Sequence, residues 1–165
     1  MSEIDTGHRV LLFRSRGWLR SPIGAAIAFQ TRSEYCHAGI LLPDWTCWEA
    51  LFGKGICARR FSPGEFATVD PYRVESVTPE QWAKAEVWYR AQRGVKYDTL
   101  AILRFLNRRD MEENGRLFCS EYVFRGLLEA GTDPLLARIP ASHVSPALLN
   151  LAPSMHYSLP ITRSP

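Results

Sequence analysis

Phe118-Cys119-Ser120-Glu121-Tyr122-Val123-Phe124 is the stretch of this 165-residue chain from which the rest can be read. Val123, Leu127 and Ala130, with Phe124 and Leu128 beside them, recur at helical spacing, and Gly131 stands where a C-terminal cap belongs. The spacing predicts an amphipathic helix with Cys119 on its first turn. Backbone N–H groups at a helix start have no intrahelical partner and carry partial positive charge. A thiol held there ionises more readily, and the thiolate is the reactive form. Cys119 is therefore a candidate nucleophile, and a buried, inert core cysteine is the competing reading.

Working outward, Tyr35 to Leu42 reads as a strand, with Tyr35, His37, Gly39 and Leu41 on one face and Cys36, Ala38, Ile40 and Leu42 on the other. Gly39 removes bulk beside His37 and leaves room for a backbone or ligand to approach the imidazole. Pro43-Asp44 is a turn, and Trp45 to Leu51 returns antiparallel with Cys47, Glu49 and Leu51 on one face. Such a hairpin can set Glu49 beside His37, where a carboxylate orients the ring and favours its protonated form. Each residue also has an ordinary reading, His37 as a half-buried, locally bonded histidine and Glu49 as a solvated strand glutamate.

Arg9 to Phe13, Ile56 to Arg59 after the Gly53-Lys54-Gly55 turn, and Ala67 to Asp70 and Tyr72 to Val74 around Pro71 supply further strand material. The expected core is a small antiparallel sheet. Ser21-Pro22 opens a helix whose apolar face carries Ile23, Ala26, Ile27 and Phe29. Thr78-Pro79-Glu80-Gln81 is a capping box, and Trp82, Ala85, Val87, Trp88 and Tyr89 form the heavy face that follows. Asp98 is placed to cap another helix carrying Leu100 to Leu106, and the polar loop from Asn107 to Arg116 borders the Cys119 helix in sequence. Ser145-Pro146 caps a short helix through Leu149, and His156 to Ile161 reads as a last strand.

The length suits one α+β domain over residues 1–165 with a real core. A net charge of +3 gives no nucleic-acid footprint, and no apolar run reaches the roughly 18 residues of a membrane span. The acidic start Met1-Ser2-Glu3-Ile4-Asp5 leads into no signal-peptide core, so a cytoplasmic protein is expected, or one released by lysis if phage-encoded. The four cysteines, at 36, 47, 57 and 119, form no C-x-x-C pair, which argues against a disulfide scaffold or structural zinc. Cys36, Cys47 and Cys57 are read as small apolar packing rather than metal ligands. No metal or organic cofactor is implied.

Cys119, His37 and Glu49 together make a nucleophile, a base and an orienting acid. His143 competes for the role of base, but Ser142-His143-Val144-Ser145-Pro146 reads as a turn with no strand to hold the ring. With Tyr35-Cys36-His37-Ala38-Gly39-Ile40, Trp48-Glu49-Ala50, Gly53-Lys54-Gly55-Ile56, Gly94-Val95-Lys96-Tyr97-Asp98, Phe118 to Val123 and Val144-Ser145-Pro146, the chain resembles the permuted papain-like amidases of the YaeF/YiiX type. These are circularly permuted relatives of the NlpC-type cell-wall peptidases, in which the sheet bearing histidine precedes the helix bearing cysteine.

The resemblance implies a permuted papain-like, NlpC-type fold, with the sheet packed against the nucleophile helix. It implies a cysteine amidase or peptidase that cleaves an acyl-amide bond, as in cell-wall peptides, through a thioester. Its partner would be a small peptide or acyl-amide substrate. Two alternatives stay open. One is a lipid acyl hydrolase or acyltransferase of the lecithin:retinol acyltransferase type, suggested by Trp18, Trp45, Trp48, Trp82 and Trp88. The other is a non-catalytic binding or phage structural module.

Overall fold

The computed structural model describes residues 7–14, 22–75, 77–98, 115–135 and 139–158. Six strands are described: β1 (Arg9–Arg14), β2 (Tyr35–Leu41), β3 (Thr46–Leu51), β4 (Gly55–Arg60), β5 (Val69–Val74) and β6 (Met155–Tyr157). They form one antiparallel sheet in the order β4-β3-β2-β1-β5-β6. The described helices are α1 (Pro22–Thr31), α2 (Pro79–Ala91), α3 (Cys119–Glu129) and α4 (Pro146–Asn150). The architecture is α+β.

Alternation along the strands gives the sheet two apolar sides. Val10, Leu12, Ala38, Ile40, Trp48, Ala50 and Ile56 pack on one side with Trp82, Tyr89, Tyr122, Val123 and Leu127 of α2 and α3. On the other side Leu11, Leu41, Cys47, Phe61 and Val69 form a smaller cluster, against which Phe13, Trp45 and Phe66 lie. The site sits where α3 meets β2 and β3.

Two local devices fix α3. Thr132 N–H bonds the Leu127 carbonyl and Gly131 N–H the Leu128 carbonyl, with Gly131 at φ +77°. That is a Schellman ending, and it places Gly131 where the sequence requires a left-handed residue. At the contact with α2, a Cβ on Gly126 would fall 2.1 Å from Tyr89 Cε1. Glycine there admits the Tyr89 ring, whose hydroxyl donates to the Val123 carbonyl at 2.7 Å. Tyr122 returns a bond to the Tyr89 carbonyl at 2.9 Å. The capping box on α2 forms as expected: Gln81 N–H bonds Thr78 Oγ1 and Thr78 N–H bonds Gln81 Oε1.

Several expectations are corrected. Tyr35 does not share a face with His37. The β1–β2 register runs Phe13↔His37 and then Arg14↔Tyr35, so Cys36 is an extra residue in a bulge. The bulge turns Tyr35 to the α-helical side, where its hydroxyl donates to Asp70 at 2.6 Å. Phe29 and Val87, placed on buried faces by the sequence, are exposed, and Leu128 lies at the margin of α3's buried face. On α2 the buried set is Trp82, Ala85 and Tyr89, and Val87 falls on the opposite side of the helix. The segments around Pro71 are one continuous strand, since proline's extended φ suits it and its carbonyl still accepts Ser158 N–H at 2.9 Å. The helix expected to follow Asp98, most of the 107–116 loop, and the end of the last strand lie outside the described residues.

Candidate active site

β2 delivers His37. Its pairing with β1 continues across the bulge, but its described pairing with β3 covers only Gly39↔Glu49, Ile40↔Trp48 and Leu41↔Cys47. Gly39 eases the first of these pairs, because a Cβ there would meet Cys47 Sγ and the Trp48 carbonyl, each at 3.2 Å. The approach that Gly39 permits is therefore made by β3 itself, not by a ligand. Beyond Gly39, toward residue 37, the N–H of Ala38 turns to the Cys119 sulfur, which also receives the N–H of Ser120. Cys119 is the first residue of α3 and is 1% exposed. Its helix start is tied down by Ser120 Oγ, which donates to the Val144 carbonyl at 2.6 Å.

The three residues singled out in the sequence come together. His37 Nε2 lies 2.8 Å from Glu49 Oε2. The His37 side chain is 20% exposed and that of Glu49 only 3%. With Nε2 engaged by Glu49, Nδ1 is the ring nitrogen left for Cys119, with which the imidazole interacts by charge and by hydrogen bond. His143, by contrast, sits in the turn Ala141–His143, exposed and beside Ser142 Oγ, and plays no part in this cluster.

The electrostatics follow from these contacts. Burial pushes the Cys119 thiol up, but the His37 charge and hydrogen bond, with the Ala38 and Ser120 N–H groups, outweigh it and hold the thiol below its ordinary value. Burial works against a charge on His37, yet Cys119 and Glu49 together raise the imidazole to about 10. Burial would likewise raise Glu49; its bond to His37 and the nearby Arg59 charge keep its carboxyl below the usual range. These contacts favour a thiolate–imidazolium pair, backed by a carboxylate.

Models of known protein families and curated proteins were compared with this chain, and none matches.

Two residues beside the set escaped the sequence reading. Tyr97 hydrogen-bonds Cys119 through its hydroxyl, and burial, then the Cys119 charge, push that phenol up and keep it a donor. It is brought there by a parallel bridge to Leu117, two residues before the cysteine. No local pattern announces such a bridge. Gly55 completes the approach: at φ +75°, a Cβ on it would fall 2.3 Å from the Val95 carbonyl, which accepts Ile56 N–H at 2.8 Å. Arg59 is the second. It binds the other Glu49 oxygen through Nε at 2.5 Å. Strand alternation puts Arg59 on the face of Cys57, the register partner of Glu49, and that signal was available.

Among the described residues, no group of three or more His, Cys, Asp or Glu side chains is arranged to hold a metal ion. No described helix is long and apolar enough to cross a membrane.

Proposed function

We propose that this chain is a cysteine hydrolase of permuted papain-like fold, an amidase or peptidase acting on an acyl-amide bond. The observation that carries the reading is His37 held between a buried carboxylate and a helix-start thiol whose ionisation is favoured despite complete burial. The Cys119 thiolate attacks the carbonyl carbon, and the oxyanion forms beside the Tyr97 hydroxyl and the N–H groups of Ala38 and Ser120. Imidazolium Nδ1–H protonates the leaving amine as the C–N bond breaks, leaving a thioester. Neutral His37 then takes a proton from water, hydroxide adds to the thioester, and Cys119 departs as thiolate with the acid product. Glu49 holds the ring orientation and charge throughout.

A second reading, acyl transfer or hydrolysis on a lipid ester, draws on different aromatics from those first singled out. Trp48 and Trp82 are core residues, Trp45 and Trp88 pack at its margins, and Trp18 lies outside the described residues. The rings near the site are Phe13, 4.9 Å from the His37 ring, and the exposed Phe52, 6.1 Å from the Tyr97 ring.

The pH dependence of Cys119 alkylation, resolved from the other thiols by mass spectrometry, tests the ion pair. Fast labelling well below pH 8 that is slowed by His37→Ala is expected. Labelling that rises only near a free thiol's ordinary value of about 8.5, and ignores the substitution, would sink the proposal. Amide and ester panels with Cys119→Ala as blank then separate the two substrate classes.

A further inference from the structure

We infer that Arg59 is a positioning residue of this site: by bridging Glu49 and Glu65 it fixes the Glu49 carboxylate, as an anion, in line with His37 Nε2. The inference rests on the proposed base role of His37. A glutamate 2% exposed with only a histidine beside it has a broad terminal torsion and a strong incentive to take up a proton. Here each carboxylate oxygen has its own partner. Oε2 meets His37 at 2.8 Å and Oε1 meets Arg59 Nε at 2.5 Å, so the group cannot rotate without losing one of them.

Arg59 is itself anchored from outside. Its Nη1 reaches Glu65 Oε2 at 2.8 Å and Oε1 at 3.0 Å, and its guanidinium lies 5.7 Å from the Phe61 ring centre. Glu65 is pinned in turn by Ser62 N–H at 2.8 Å, in the capping box of the turn Pro63–Ala67. The groups facing Glu49 are His37 from β2, Arg59 and Cys57 from β4, and Cys47 on its own strand, with Cys119 of α3 behind His37 and Glu65 behind Arg59. From thiolate to Glu65 the charges alternate in sign over five groups. Arginine suits the fourth place because it stays charged and presents a planar fork to two carboxylates, which lysine cannot do.

The experiment is iodoacetamide labelling of Cys119 in the full chain across pH, for wild type, His37→Ala, Arg59→Met and Arg59→Lys, with thermal unfolding of each. Without the guanidinium, Glu49 takes up its proton at higher pH and the ion pair is lost earlier on acidification. The acid limb of labelling moves up by about one pH unit in Arg59→Met, about tenfold slower labelling on that limb, and by less in Arg59→Lys. A merely structural arginine would lower the unfolding temperature and leave the limb in place, and that result overturns the inference. If Arg59→Met does not fold, Arg59→Lys carries the test, and a limb coincident with wild type overturns it equally. Wild-type labelling indifferent to His37→Ala would instead defeat the base role itself.

Discussion

Replacing Glu49 by glutamine changes the site by one charge and almost no volume. With its oxygen turned to His37 the glutamine amide keeps an acceptor 2.8 Å from Nε2, while its NH2 faces the Arg59 Nε–H and that one bond is lost. Arg59 is not stranded, because it retains Glu65 and its side chain is 35% exposed. An opposite charge at this range shifts a pKa by about 1–3 units, each worth about 1.4 kcal/mol. His37 stands at about 10 in the intact site, supported by Cys119 as well as Glu49. Removing the Glu49 share brings it to about 7–9, still above a free histidine because the thiolate remains.

The assay is a proton–nitrogen NMR titration of the imidazoles in histidine-labelled protein. The chain has four histidines, so His37 is assigned by its absence in His37→Ala. The expected result is a His37 transition near 10 in wild type and lower by at least about one unit in Glu49→Gln. A wild-type transition near the ordinary 6.5, or one that Glu49→Gln leaves unmoved, would refute the coupling on which the site is argued.

In the proposed mechanism Tyr97→Phe removes a donor to the developing oxyanion and leaves the ring against Phe52; kcat/KM should fall about 10²-fold on whichever panel substrate is cleaved, while Cys119 alkylation falls far less. Equal losses in both would place Tyr97 in thiol activation alone. Gly126→Ala drives a methyl into the Tyr89 ring and should destabilise by about 1–3 kcal/mol in urea unfolding, with unchanged stability the contrary result. His37, raised from 6.5 to about 10, contributes fully to stability below 6.5 and loses that contribution as pH rises through about 10. Cys119, lowered from 9.0, contributes fully above 9.0 and loses it as pH falls through its depressed value. At pH values above both 6.5 and the depressed Cys119 value, and below 9.0, the folded pair and the unfolded chain hold the same number of protons, so the site's contribution is flat there. In Cys119→Ala only the declining histidine contribution remains, so the Tm gap from wild type should widen as pH rises from the depressed Cys119 value toward 9; a constant gap there would argue against the ion pair.

The sheet and the Cys119 helix were legible because both rest on local periodicity. An apolar run marked β1 and alternation marked β2 and β3, and the turns at Pro43-Asp44 and Gly53-Lys54-Gly55 put β3 between β2 and β4. Caps at Thr78, Gly131 and Ser145 stood where the sequence put them, since each satisfies backbone groups within a few residues. What a helix buries was less legible. Phe29 and Val87 are large and apolar, but burial depends on which side meets a neighbour, and periodicity without a partner does not choose that side.

The site shows the same division at finer grain. His37 and Glu49 were reachable because a short hairpin puts them on one face, whereas two neighbouring features of the site are not local. One is the bulge at Cys36, a residue with no special backbone chemistry; it exists because Tyr35 gains a buried partner in Asp70 that strict alternation would deny it. The other is the pairing of Tyr97 with Leu117, which joins segments that the sequence separates by a long intervening stretch. Both trade a regular local pattern for a contact at long range. The β2–β3–β4 hairpins, which carry His37, Glu49 and Arg59, are set by neighbours in sequence, whereas β1–β5, β5–β6 and the approach of Tyr97 are set by neighbours in space. Substitutions at Gly55 or Gly126, which only hold segments close, should therefore disturb the chemistry by moving Tyr97 or α3, although neither glycine belongs to the set of Cys119, His37 and Glu49.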